Sequence, residues 1–184
     1  APRDRPPRHP AARRPTAGTR PGMTEQPTPD RAGDRQPRVL FVCTHNAGRS
    51  ALASALASHH AADLIEVDSA GTDPDPEPST ATIATLAELG IDASTHRPSA
   101  VTPERIAAAD VVVAMKPGLD LPHVDGVRYE TWNLPDPAGW DAEGIRPLRH
   151  EIDRRARVLL AELADDRRAG ARRSPPASPP EGPT

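Results

Sequence analysis

The twenty residues RVLFVCTHNAGRSALASALA, Arg38 to Ala57, contain the only cysteine of a 184-residue chain. Arg38–Val42 is a short apolar run, the pattern of a parallel strand buried on both faces. Ser50–Ala61 is rich in Ala and Leu, with Leu52 and Leu56 one helical turn apart. A strand and a helix joined by the short loop Cys43-Thr44-His45-Asn46-Ala47-Gly48-Arg49-Ser50 open an α/β unit. Working outward, Leu64–Ser69 reads as a second strand, Thr80–Leu89 as a helix with Ile83, Leu86 and Leu89 at helical spacing, and Gly90 as its stop. Pro103–Ala108 reads as a short helix, Asp110–Met115 as a third strand and Arg128–Trp132 as a fourth. Ile145–Asp165 carries an apolar stripe formed by Ile145, Leu148, Ile152, Ala156, Leu159, Leu160 and Leu163. Strands alternating with helices predict a parallel α/β sandwich. Ligands of such sheets bind beyond the carboxyl ends of the strands, where Cys43 lies.

Composition divides the chain. Of its 24 prolines many crowd the two ends, only 2% of residues are aromatic, and Lys116 is the sole lysine among 23 basic residues. Residues 1–36 and 170–184 lack the apolar content to offset chain entropy and are expected to be disordered tails. The folded part is then residues 38–166, enough for one small core. Two readings of the leading tail stay open: a natural start at Met23, or an Arg-rich segment with a nucleic-acid or targeting role. A net charge of −3 gives no reason to expect a nucleic-acid partner. No segment approaches the roughly 20 apolar residues of a membrane span. A lone cysteine forms no internal disulfide, which fits a reducing cytoplasm.

The loop is suited to an oxyanion. Successive amides of a strand-to-helix loop converge into an anion-binding nest, and the helix start adds free N–H groups and a positive dipole end. Gly48 permits close approach or positive φ, and Asn46 is a residue type that tolerates the left-handed region. Arg49 offers a planar fork for two oxygens of a tetrahedral anion. Ser50 is placed to cap the helix and to donate to the sulfur. Thiols at helix N-termini beside an arginine ionise at roughly 3.5–7.5 instead of about 8.5, so the loop that grips the anion is expected also to make the nucleophile. Pro135-Asp136-Pro137 holds a carboxyl on a stiff loop. A positioned acid there would protonate a departing oxygen, worth roughly 10²–10⁴-fold. His45 either tunes Cys43, meets substrate or faces solvent. His59 and His60 lack a ligand motif, so no metal is expected. His96 and Arg97 support either the loop or the sheet. Tyr129, Trp132 and Trp140 either line the mouth or pack.

Cys43 through Ser50 resembles the phosphate-binding loop of the low-molecular-weight protein tyrosine phosphatase superfamily, which includes thiol-dependent arsenate reductases. The resemblance spans residues 38–166. It includes Ser69-Ala70-Gly71-Thr72, Asp110 to Met115 and Trp132-Asn133-Leu134-Pro135-Asp136-Pro137. It implies a four-stranded parallel sheet flanked by helices, with Cys43 as nucleophile, Arg49 and the loop from Thr44 to Ser50 as the oxyanion cradle, and Asp136 as general acid. Within the family the His-Asn-Ala-Gly-Arg-Ser loop resembles that of arsenate reductases, since phosphatases usually carry a second Cys where Gly48 stands. They also usually place an aromatic residue where Ala138 follows Asp136-Pro137. The segments Trp132–Gly139 and Arg146–Ile152 are likewise reductase-like. A relay through further cysteines is excluded, and Met115–Pro122 departs from the cysteine-containing stretch of many relatives. The implied activity is a single-cysteine arsenate reductase that uses an external small thiol such as mycothiol, completed by a glutaredoxin-like partner, with no bound cofactor. The alternatives are a low-molecular-weight phosphatase acting on phosphomonoesters and a non-catalytic oxyanion-binding module.

Overall fold

The computed structural model describes residues 35–173. Four strands form one sheet: β1 (Arg38–Cys43), β2 (Glu66–Gly71), β3 (Val111–Ala114) and β4 (Arg128–Thr131). Their order is β2-β1-β3-β4 and every pairing is parallel. Four helices accompany them: α1 (Arg49–Ala61), α2 (Thr80–Ala87), α3 (Pro103–Ala107) and α4 (Arg146–Arg173). The sheet is central because β1 is apolar on both faces, as the opening stretch predicts. Val39, Phe41 and Cys43 join the larger core with α1 and α4, while Leu40 and Val42 join a smaller core with Ile106 of α3. This two-residue alternation is the period of a strand, and Val111 and Val113 against Val112 repeat it in β3.

After β1 the chain first adds a strand on one side, β2, and later one on the other, β3. The order therefore reverses at the carboxyl end of β1, the place where open parallel sheets bind ligands. Cys43 ends that strand.

All seven residues of the expected stripe from Ile145 to Leu163 are buried. Three elements differ from the sequence reading by two residues or more at an end. β2 begins at Glu66, not Leu64, because Ala62 and Asp63 turn with φ of 44° and 60° and leave Leu64 half exposed. It then runs on to Gly71, which pairs with Cys43, so small residues extend a strand whose apolar run has ended. α2 buries Thr82, Thr85 and Leu86, and Leu89 lies exposed beyond its end. α4 continues to Arg173, eight residues past its expected end at Asp165 and into the first residues of the expected C-terminal tail. The rest of that tail, and residues 1–34 of the leading one, lie outside the described residues. Among the described residues no helix is long and apolar enough to cross a membrane.

Candidate active site

The loop between β1 and α1 is held from outside by its own carbonyls. Thr72 N–H donates to Cys43 O (3.0 Å), Asp73 to Thr44 O (2.8 Å), Asp75 to His45 O (3.0 Å) and Ser79 to Ala47 O (3.1 Å). The donors belong to Thr72-Asp-Pro-Asp-Pro-Glu-Pro-Ser79, whose prolines at 74, 76 and 78 have no N–H to give. His96 Nε2 donates to Asn46 O at 2.8 Å, taking a fifth carbonyl. With the carbonyls turned outward the amides turn inward. Among the described residues the N–H groups of His45, Ala47 and Gly48 meet no protein acceptor. A ring of free amides ahead of a helix N-terminus is chemically suited to hold an anion.

Asn46 fixes the interior of that ring. It is fully buried and adopts φ 52°, the left-handed backbone Asn tolerates. Ser99 N–H donates to its Oδ1 (2.9 Å), which settles the orientation of the amide group. Nδ2 then donates to Ser50 Oγ (2.9 Å) and to Ser69 Oγ (3.0 Å). Because Ser50 accepts from Asn46, its own proton is free for Cys43 Sγ at 3.0 Å. The Asn46 backbone N–H also donates to that sulfur, at 3.2 Å. Two donors therefore point at one sulfur.

Gly71 is where β2 meets this loop. A Cβ there would lie 2.5 Å from Thr44 O and 3.0 Å from Asn46 N, so no other residue fits. Arg105 braces the same corner, with its guanidinium donating to Asp68, the Ser69 carbonyl, Ser99 Oγ and the Ala100 carbonyl.

Arg49 is 5% exposed. Its Nη1 donates to Leu134 O at 3.4 Å, and its Nη2 lies 3.6 Å from Asp136 Oδ1. Asp136 is exposed, and Ala138 N–H donates to its Oδ1 at 3.3 Å. The short turn after Pro137 thus aims the carboxylate back at the arginine. Gly48 serves by closeness rather than by positive φ: its φ is −117°, and a Cβ would stand 3.3 Å from Pro137 Cγ. A larger residue would push the Asp136 loop away. The expected Ser50 cap is not formed. Helix α1 starts at Arg49 with Gly48 as its cap residue, and Ser50 inside the first turn turns its hydroxyl to the sulfur instead.

The remaining candidates separate cleanly. His45 leans outward onto the Asp73 carbonyl (3.2 Å) and the Asp75 carboxylate (3.3 Å). His60 pairs with Asp153 of α4 at 2.7 Å, away from the loop. Tyr129 Oη donates to Pro122 O and accepts from Val124 N–H, which makes it a packing residue. Trp132 is buried against Phe41, with Arg155 over its ring. Trp140 stays partly exposed on the turn after Pro137. Sequence reasoning left His96 undecided and did not find Ser99 or Arg105, since their contacts with the loop arise only when distant turns converge. It also missed Arg149, buried at 4% exposure, which donates to Thr85 O, Thr85 Oγ1 and Glu88. Arg146 joins it on Glu88, and the two guanidinium groups hold that carboxyl down to about 2.

Three comparisons bear on this geometry. The family described as low molecular weight phosphotyrosine protein phosphatase matches residues 38–120. A glutaredoxin arsenate reductase from Synechocystis is 32% identical, over 69% of this chain and 98% of its own length. A thioredoxin-dependent arsenate reductase from Corynebacterium glutamicum superposes with a TM-score of 0.62 at 37% identity, covering 71% of this chain and 63% of that one. An arginine phosphatase from Geobacillus stearothermophilus superposes with a TM-score of 0.61 at 30% identity, covering 72% and 96%.

Proposed function

The chain belongs to the low-molecular-weight phosphotyrosine protein phosphatase superfamily, in its arsenate reductase branch, and on that premise we propose that it is an enzyme reducing arsenate with an external thiol. Cys43 is the nucleophile, Arg49 and the amides from Thr44 to Ser50 are the cradle, and Asp136 is the acid. Bound arsenate is attacked by the Cys43 sulfur, a sulfur–arsenic bond forms, and one oxygen leaves with the proton of Asp136. Arg49 and the loop amides meet the charge that builds on the remaining oxygens.

A small thiol then takes the arsenic: its sulfur bonds to arsenic as the Cys43–arsenic bond breaks and its electron pair returns to Cys43. A second thiol attacks the sulfur of that adduct. A disulfide forms, two electrons pass to arsenic, and arsenite departs. Mycothiol is the small thiol of this reading and a glutaredoxin-like protein the supplier of the second one. The partners named for the Synechocystis and Corynebacterium relatives support a thiol reductant in general. Such thiols are kept reduced in the cytoplasm, where this reading places the protein.

The observation carrying the reading is the solitary sulfur. Cys43 has two hydrogen-bond donors on it, and the chain has no second cysteine with which to close a disulfide. Gly48 and Ala138 support the same choice, being small where phosphatases of the family usually carry Cys and an aromatic ring. A second reading, hydrolysis of phosphomonoesters, draws on the exposed Asp136, open to a water, and on the arginine phosphatase neighbour. The discriminating assay supplies purified protein with arsenate, with and without a panel of small thiols, beside p-nitrophenyl phosphate. Arsenite formation that requires thiol and outpaces aryl phosphate hydrolysis supports the reductase; the opposite ratio overturns it in favour of the phosphatase.

A further inference from the structure

Arg105 lies on α3, outside the loop that carries Cys43, and the steps above give it no part. Its guanidinium has five N–H groups, and each meets an acceptor. Nε donates to Asp68 Oδ2 (3.1 Å), Nη1 to Ser99 Oγ (2.9 Å) and Ala100 O (2.7 Å), and Nη2 to Asp68 Oδ1 and Ser69 O (both 2.7 Å). The backbone beneath it is fixed as well. Arg105 N–H donates to Oγ1 of the capping Thr102 at 3.3 Å, and the adjacent Ile106 is fully buried. An exposed ion pair contributes little. A rigid fork spent on five acceptors in two separate chain segments fixes the spacing between them.

Those two segments are the ones that hold the Asn46 amide. Ser69 accepts Asn46 Nδ2 on its hydroxyl (3.0 Å) and Arg105 on its carbonyl. Ser99 gives its N–H to Asn46 Oδ1 (2.9 Å) and accepts Arg105 on its hydroxyl. The amide therefore sits between two serines whose separation Arg105 sets. Turned this way, Asn46 Nδ2 also donates to Ser50 Oγ, which leaves the Ser50 proton for Cys43 Sγ. We propose that Arg105 is a positioning residue for Cys43: by clamping Ser69 to Ser99 it holds the Asn46 amide in the orientation that delivers the Ser50 hydroxyl to the sulfur. Arg49 and the loop amides do not depend on this clamp, since the loop carbonyls are taken by residues 72–79 and by His96. The inference rests on Cys43 as nucleophile and is indifferent to whether the substrate is arsenate or a phosphomonoester. In both reactions the electron pair of the adduct bond returns to Cys43, and the Ser50 hydroxyl donates to the sulfur that receives it.

The test is a double-mutant cycle on kcat with Arg105→Gln, Ser50→Ala and the pair, using p-nitrophenyl phosphate and, separately, arsenate with 2-mercaptoethanol. Arg105→Gln is expected to lose roughly 10-fold to 10²-fold in kcat, while inhibition by inorganic phosphate stays near its original strength. In the Ser50→Ala background the same substitution costs almost nothing further, because the hydroxyl it positions is gone. Arg105→Lys, with three donors on a flexible stem in place of the five-donor fork, shows the same pattern and carries the cycle if Arg105→Gln does not fold. Losses that multiply, phosphate inhibition that weakens in step with kcat, or an unchanged kcat would each overturn the positioning role, because a merely structural defect acts alike in both backgrounds. If the unaltered protein turns over neither substrate, the nucleophile reading fails and this inference fails with it.

Discussion

Replacing Asn46 by Ala removes the side chain on which the loop is organised. Three hydrogen bonds go with it: from Nδ2 to Ser50 and Ser69, and from the Ser99 amide to Oδ1. Each bond in a buried network contributes about 1 kcal/mol net, and more where a buried partner is left unsatisfied. At φ 52° an alanine also bears a left-handed backbone cost of about 1 kcal/mol. The expected loss is about 4 kcal/mol, a large share of the stability of a domain this size. A thermal melt should therefore fall by roughly 10–20 °C. Asn46→Gly keeps the backbone permissive while removing the same bonds, and should lose about 3 kcal/mol. In both variants the Ser50 hydroxyl is no longer aligned on Cys43, so turnover falls even below the new melting temperature. A melt within about 3 °C of the unaltered protein would refute the argument that this buried amide organises the cradle.

Other expectations follow from single contacts. Cys43→Ser should abolish turnover of both arsenate and aryl phosphates, and substantial residual activity would end its assignment as nucleophile. Asp136→Asn should slow release of poor leaving groups far more than good ones while leaving phosphate inhibition near its original strength, measured across a series of aryl phosphates. Gly71→Ala would set a methyl 2.5 Å from the Thr44 carbonyl, so the loop must shift; phosphate binding by calorimetry should drop sharply, and unchanged affinity would contradict the packing. Glu88, held down to about 2 by Arg146 and Arg149, clamps α2 to α4. A carboxyl lowered in the folded state stabilises above its ordinary value of 4.5, and that contribution is lost as pH falls from there towards 2. Glu88→Gln should be less stable at neutral pH and show a shallower acid limb over that window in denaturant titrations; an identical limb would remove the clamp from the account.

Much of this was legible before any coordinate. Arg38–Val42 is apolar at every position after the first, which left a doubly buried strand as its natural reading, and the periodic stripe from Ile145 to Leu163 could satisfy only a packed helix. Cys43, Arg49 and Asp136 were visible because their residue types and spacing suit one chemistry. The four-stranded parallel sheet followed from the family resemblance and the alternation together, whereas the order of its strands came only from the structure. What stayed hidden depends on chain segments far apart in sequence. Ser99 reaches Asn46 across 53 residues and His96 across 50, through turns with no periodic signal. β2 gains Ala70 and Gly71 because β1 lies beside them, not because they favour a strand. Thr82 and Thr85 occupy the buried face expected for Ile83 and Leu89, and at Thr85 the reason is Arg149, whose guanidinium takes that residue's carbonyl and hydroxyl. Polar burial of this kind leaves no mark in a hydrophobic pattern.

The most direct measurement is alkylation of the solitary sulfur. Iodoacetamide labels Cys43 alone, so intact mass reports one site without ambiguity. Labelling at neutral pH should be fast and should be suppressed, in a saturable way, by arsenate and by phosphate. A slow reaction that neither anion alters would mean that the sulfur and the cradle do not form one site.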